Sequence, residues 1–256
     1  MKNNISENYN FIETDDGSTT VFSKLYGEAC HSTSGAIKET HTHYINGCEV
    51  VEKSKLNQVS ILEVGFGVGI GFLQTANALK GTFFSFVTME IDEDLIKYVI
   101  AKDPIFIGIT KKDYFYELVN KDFHLVILIG DARKSLVKYK NNFKPKIDCI
   151  YQDAFSPKRN AVLWTKEWFD LLFTLAKEEC IMSTYSSSSS IRKSMLKANW
   201  KLYKGEKFGP KRSSTRARIN GETDSDILIH LKNSPVHAIT DENYKLYTMD
   251  KNNEKN

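Results

Sequence analysis

The sequence predicts a mostly parallel β-sheet covered by helices on both faces, with a β-rich extension in front of it. Three observations predict it. From Val59 to about Leu231, apolar runs of strand length alternate with amphipathic runs of helix length. The first strand-like run passes into a helix through a glycine-rich turn, Gly65-Phe66-Gly67-Val68-Gly69. Acidic residues stand at the ends of successive strand-like runs. Together these describe a Rossmann-like α/β domain.

Composition agrees. At 256 residues, 41% hydrophobic and 26% charged, the chain is an ordinary globular one, which excludes bulk disorder. A net charge of +3 is too small to name a partner. The uncharged run from Val64 to Leu79 carries four glycines and is shorter than the roughly 20 apolar residues of a membrane span. Met1 to Glu7 lack a secretion-type apolar stretch, and Cys30, Cys48, Cys149 and Cys180 form no CxxC pair, so a cytoplasmic location with reduced thiols is expected.

The elements are expected in this order. Residues 1–57 read as hairpins or extended segments, with turns at Asp15-Asp16-Gly17-Ser18 and Ile45-Asn46-Gly47. Residues 58–232 form the main domain. Its strands are expected at Val59–Val64, Phe83–Met89, His124–Ile129, Ile147–Tyr151 and Cys180–Thr184. Helices are expected from the glycine turn to Leu79, over Asp92–Ala101, over Ser187–Ala198, and where Leu163, Leu171, Leu172 and Leu175 share an apolar face. The aromatic-rich stretch Tyr114–Val119 reads as helical, and Lys201–His230 as two or three antiparallel strands. Residues 233–256, rich in Asn, Lys, Asp and Glu, read as a loosely ordered polar tail.

The glycine turn implies a ligand, because glycines let the backbone approach one closely and leave helix N–H groups to bind it. The dinucleotide fingerprint is GxGxxG; here the spacing is GxGxG, with Ile70 in the place of the third glycine and Glu63 two residues before the first. Glu90 closes the second strand, where a carboxylate accepts both hydroxyls of a ribose. Asp131 follows the third, where one accepts from an adenine amino group. Glu63, Gly65, Phe66, Gly67, Gly69, Glu90 and Asp131 are therefore the expected contacts of S-adenosyl-L-methionine.

The fourth strand runs into Asp153-Ala154-Phe155-Ser156-Pro157-Lys158-Arg159-Asn160-Ala161-Val162-Leu163-Trp164. A carboxylate followed by an aromatic and a proline suits methyl transfer to an amine. Asp153 is the expected catalytic residue, accepting from the nucleophilic nitrogen and receiving or relaying a proton, since an ammonium cannot attack. Phe155 and Trp164 are candidates to stack on a base, with Lys158 and Arg159 beside them; capping and core packing are the plainer alternatives.

On the glycine turn and the Asp153–Trp164 segment, the chain resembles the methyltransferases that complete 5-methylaminomethyl-2-thiouridine at the tRNA wobble position. Tyr26-Gly27-Glu28-Ala29-Cys30-His31-Ser32, Gly35-Ala36, Glu39 and Phe208-Gly209-Pro210-Lys211-Arg212 are similar to that family as well, so the likeness spans about residues 15–220. The resemblance implies a class I S-adenosylmethionine-dependent fold with N-terminal β additions. It also implies methylation of the 5-aminomethyluridine nitrogen, with tRNA as partner through its anticodon region and with Lys211 and Arg212 among the substrate contacts. Val68, Ala154 and Ala161 depart from the family pattern, and Ser213-Ser214-Thr215 interrupt the basic run. Bifunctional relatives carry a following FAD-dependent oxidase domain; the length of this chain leads to the expectation of a stand-alone form without flavin.

Seven basic residues between Lys201 and Arg218, against Glu206 alone, suggest a phosphate-contacting surface. Cys30, His31, His41, His43 and Cys48 fit no zinc spacing, and His41-Thr42-His43 alternates as a strand does, so no metal is expected. Two other functions remain open. A polyamine aminopropyltransferase shares the fold but needs acidic surroundings for its polycation, and the neighbourhood in sequence is basic. A non-catalytic RNA-binding scaffold is opposed by the acids at 63, 90, 131 and 153.

Overall fold

A computed structural model describes residues 5–143, 146–209 and 213–248. The N-terminal segment opens with a hairpin, β1 (Tyr9–Glu13) and β2 (Thr19–Ser23), joined by the short β3 (Glu28–Ala29) into a three-stranded antiparallel sheet. The rest of the segment is helical, contrary to the expected strands. α1 (Ala36–Thr40) continues directly into a π-helical turn over His41–Ile45, and α2 (Val50–Ser54) follows. Two-residue alternation at His41-Thr42-His43 is too short to outweigh the helix already running before it.

The main sheet has nine strands. β4 (Val59–Val64) leads through the glycine turn into α3 (Ile70–Ala78), then β5 (Phe84–Glu90) and α4 (Glu93–Lys102). β6 (Thr110–Lys111), β7 (Phe115–Val119) and β8 (Phe123–Ile129) follow, with α5 (Ala132–Tyr139) after them. Next come β9 (Ile147–Gln152), α6 (Pro157–Asn160), α7 (Lys166–Leu175) and β10 (Ala176–Thr184). α8 (Ser189–Lys197), β11 (Lys201–Gly205), β12 (Ser214–Arg218) and α9 (Ser225–Asn233) complete the domain.

The strand order is β11-β12-β10-β9-β4-β5-β8-β7-β6. β10, β9, β4, β5 and β8 are mutually parallel, and the strands at both margins are antiparallel. From β4 the chain winds outward through β5 to β8, then returns to place β9 and β10 on the other flank. The reversal lies between β4 and β9, the position at which doubly wound sheets open a crevice at the carboxyl ends of their strands.

Side-chain alternation divides the core in two. Leu62 and Val64 join the cluster under α5, α7, α8 and α9, with Trp168, Leu172, Ile191, Met195 and Ile227. Val59 and Ile61 join the opposite cluster under α2, α3 and α4, with Phe72, Ile96 and Val99. Helices thus cover both faces, as expected.

Three further expectations change. Tyr114–Val119 is largely a strand: Phe115–Val119 pairs antiparallel with β8, and buried Tyr116 and Leu118 alternate with half-exposed Phe115 and Glu117, a period of two rather than 3.6. Lys201–His230 holds two strands and then α9, not a third strand. The expected loose tail packs on the domain: Ile239 is fully buried, Lys166 N–H donates to its carbonyl at 2.8 Å, and its N–H donates to Ser194 Oγ at 2.8 Å. Among the described residues no helix is long and apolar enough to cross a membrane.

Candidate active site

The turn after β4 is bound to its neighbours through the backbone. Gly65 and Gly67 adopt φ of 104° and 54°, a region L side chains avoid, and a Cβ at Gly65 would stand 2.9 Å from the Asp153 carbonyl. Phe66 N–H donates to Met89 O at 2.9 Å, tying the turn to β5. Beside it opens a cavity of about 440 Å³. Gly65 and Gly67, Glu90 after β5, Asp131 after β8 and Asp153 after β9 all line it.

Each carboxylate has a distinct setting. Glu90 accepts from Gly67 N–H at 3.0 Å and from Asp92 N–H at 3.1 Å; burial nonetheless pushes it up to about 7. Asp131 caps α5, accepting from Arg133 N–H at 2.9 Å. Asp153 is held by Tyr44, whose hydroxyl donates to Oδ1 at 2.5 Å. Burial, reinforced by Asp153, pushes the Tyr44 phenol well up, so it remains a donor at neutral pH.

The roof comes from the N-terminal segment, and sequence reasoning placed none of its residues in the site. Tyr26, Glu28, Cys30, His31 and Glu39 line the cavity. Tyr26 stacks on Phe155 at 4.5 Å between ring centroids, and Glu28 accepts from Ser156 Oγ at 2.7 Å. Tyr9 donates to Asp92 at 2.8 Å, anchoring the hairpin beside Glu90. His31 is 6% exposed at its side chain; burial lowers it to about 4, and its Nε2 lies 4.0 Å from Asp153 Oδ2. A signal was present: Tyr26 to Ser32 was one of the stretches carrying the family resemblance.

Several expected contacts fall elsewhere. Glu63 is 3% exposed and turned under α3, accepting from Thr88 Oγ1 at 2.7 Å; it braces the turn from behind and does not line the cavity. Phe66 packs on Phe106 in the core, and Gly69 caps α3 below the cavity wall. Trp164 is fully buried and spends its indole N–H on Phe155 O at 2.7 Å, so it anchors the loop and presents no face to a base. Lys158 and Arg159 lie on α6 beside the cavity, outside its lining. Lys211 and Arg212 lie outside the described residues.

Charge inverts the expectation from sequence. The cavity wall carries Glu28, Glu39, Glu90, Asp131 and Asp153, with no Lys or Arg among its described lining residues. Inside the cavity the surroundings are therefore acidic, and charge there does not oppose a polyamine substrate. Part of the basic run is also engaged: Lys204 pairs with Asp226 at 2.6 Å, and Arg216 and Arg218 both pair with Glu49. Among the described residues, no cluster of three or more His, Cys, Asp and Glu is arranged to hold a metal ion.

A cavity of this size with glycine walls and acids on three strand ends fits a nucleoside-bearing cation. Comparisons with known proteins agree. A family model described as S-adenosyl-L-methionine-dependent methyltransferase matches residues 99–220. The chain is 30% identical over 223 residues, 78% of its length, to the tRNA 5-methylaminomethyl-2-thiouridine biosynthesis bifunctional protein MnmC of Paraburkholderia xenovorans (strain LB400), covering 33% of that protein. It is 23% identical over 230 residues to the uncharacterized protein MJ0670 of Methanocaldococcus jannaschii, covering 84% of this chain and 61% of that one. The crystal structure of MnmC2 from Aquifex aeolicus superposes with a TM-score of 0.73 at 26% identity, covering 92% of this chain and 80% of that one. The chain spans about a third of the length of the bifunctional relatives it matches.

Proposed function

We propose, from the premise that this chain is an S-adenosyl-L-methionine-dependent methyltransferase similar to the MnmC proteins, that it methylates the amino nitrogen of 5-aminomethyluridine, with or without 2-thiolation, at the wobble position of tRNA. Such a substrate places the reaction in the cytoplasm.

One observation carries the reading. The Asp153 carboxylate at the end of β9 lines the same cavity as Glu90, and Tyr44 donates to it. Gly65 and Gly67 give the cofactor a backbone wall, Glu90 takes the ribose hydroxyls and Asp131 the adenine. When bound, the cofactor supplies a methyl group on a cationic sulfur. Asp153 accepts a hydrogen bond from the substrate amine and orients it, and the carboxylate-lined wall favours the amine as it enters in its charged form. The stacked Tyr26–Phe155 pair forms an aromatic edge for the flipped base. Lys158 and Arg159 stand where backbone phosphates approach, with Lys211 and Arg212 as further candidates from the resemblance.

The test is direct. The purified protein, labelled S-adenosyl-L-methionine and tRNA bearing 5-aminomethyluridine should yield 5-methylaminomethyluridine by nucleoside mass spectrometry. Absence of the methylated nucleoside with folded, cofactor-binding protein sinks the reading. The acidic cavity favours one second reading, aminopropyl transfer to a polyamine; turnover of putrescine with decarboxylated cofactor, and none of tRNA, would establish it instead.

A further inference from the structure

We propose that His31 and Asp153 form a two-acceptor seat for a primary amine, with His31 Nε2 taking the proton that the amine must lose; this rests on the proposed N-methylation. The geometry is specific. Nε2 and Asp153 Oδ2 are 4.0 Å apart, too far to bond each other. A single nitrogen placed about 2.9 Å from both sits roughly 2 Å off the line joining them, within ordinary hydrogen-bond reach of each. His31 lines the cavity and comes from a different part of the chain than the strand ends around it.

Both partners are held from behind. His31 Nδ1 lies 2.9 Å from Thr20 Oγ1 on β2, a fully buried hydroxyl. The tautomer with hydrogen on Nδ1 donates to Thr20 and turns the Nε2 lone pair toward the seat. Tyr44 donates to Oδ1 of Asp153, and Oδ2 lies 4.0 Å from His31 Nε2. The two residues thus offer two acceptors to an ammonium bearing three N–H bonds.

The proton balance closes. An ammonium N–H breaks and the proton moves to Nε2, giving an imidazolium beside the Asp153 carboxylate. The uncharged nitrogen then forms the N–C bond as the C–S bond breaks onto sulfur, leaving a secondary ammonium. The imidazolium releases its proton to water as product departs. Other ionisable groups also face the pair: Asp16 acts on His31, and Asp153 acts on Cys30, Tyr185 and Glu63, with Glu28 and Glu39 on the same wall. The acids among them favour a transient imidazolium. Burial keeps the resting ring neutral, since it lowers His31 to about 4.

His31→Gln should lower kcat about 10²-fold at pH 7 while leaving S-adenosylhomocysteine binding, measured by calorimetry, unchanged. That deficit should shrink as pH rises toward the amine's own pKa, where no acceptor is needed, and added imidazole should restore part of the rate. A wild-type rate at pH 7, or an equal loss at every pH, overturns the proposal while the N-methylation reading stands. Nitrogen-15 NMR of the wild type with S-adenosylhomocysteine, titrated with 5-aminomethyluridine, supplies a readout free of turnover. Nε2 should show acceptor character and shift on adding the amine; an unmoved Nε2 rejects the seat. Failure of wild type to methylate tRNA, with the Nε2 shift present, rejects the substrate and keeps the seat.

Discussion

At Asp153 the carboxylate faces both the cavity and Tyr44, so its loss should be read in turnover and not in cofactor affinity. Asp153→Ala should lower kcat by about 10²-fold or more, with the S-adenosyl-L-methionine dissociation constant nearly unchanged; lost cofactor binding in a folded variant would refute its assigned role. Glu90 should govern the pH dependence. Its carboxyl titrates at about 7 in the folded chain, above its ordinary value of 4.5, so the folded state holds the extra proton between those limits. Stability from this group is then present below pH 4.5 and is lost as pH rises to 7, by on the order of 3 kcal/mol. Cofactor affinity runs the other way, because the ionised form accepts ribose hydroxyls: it should weaken about tenfold per unit below pH 7. Calorimetry between pH 5.5 and 8 checks this, and Glu90→Gln should flatten both trends. Asp131, Asp153 and Glu90 were legible in the sequence because strand ends mark the binding edge. Glu63 was not, because the same position also suits a brace beneath the turn, and only packing separates the two.

Among the elements, the turn from β4 into α3 shows how tightly packing constrains sequence. A Cβ at Gly71, in the first turn of α3, would overlap Oε1 of Glu63, whose other carboxylate oxygen, Oε2, is held by Thr88 Oγ1. Gly71→Ala should therefore destabilise by about 1–3 kcal/mol although alanine favours helices, which chemical denaturation would register. Trp164→Ala should cost about 3–5 kcal/mol for the same reason of burial, and its effect should appear in melting temperature before it appears in substrate affinity. The five parallel strands were legible because both their faces are largely buried and their runs are predominantly apolar. β7 was misread because its aromatic residues are large enough to suggest a helix face, while its true period is set by pairing with β8. The π-helical turn that delivers Tyr44 had no short-range signature at all.

For the molecule as a whole, the buried Ile239 predicts that truncation after Asn233 lowers the melting temperature, since buried Ala238 and Ile239 leave with it, together with hydrogen bonds to Lys166 and Glu167 of α7 and to Lys193 and Ser194 of α8. tRNA affinity should fall steeply with salt, and neutralising Lys158 and Arg159 together should make that slope shallower by about two units; a flat wild-type slope would count against an RNA substrate. Composition could not foresee the acidic cavity, because net charge averages over an outside that is basic and an inside that is not. The roof over the cavity has a further consequence. Residues 26–44 emerge from the ribosome long before Asp153, so the reactive pocket is assembled from sequence made early and sequence made late. A nascent chain halted before β9 lacks the surface on which that early segment docks, and catalysis in a cell would therefore report that synthesis had gone past β9.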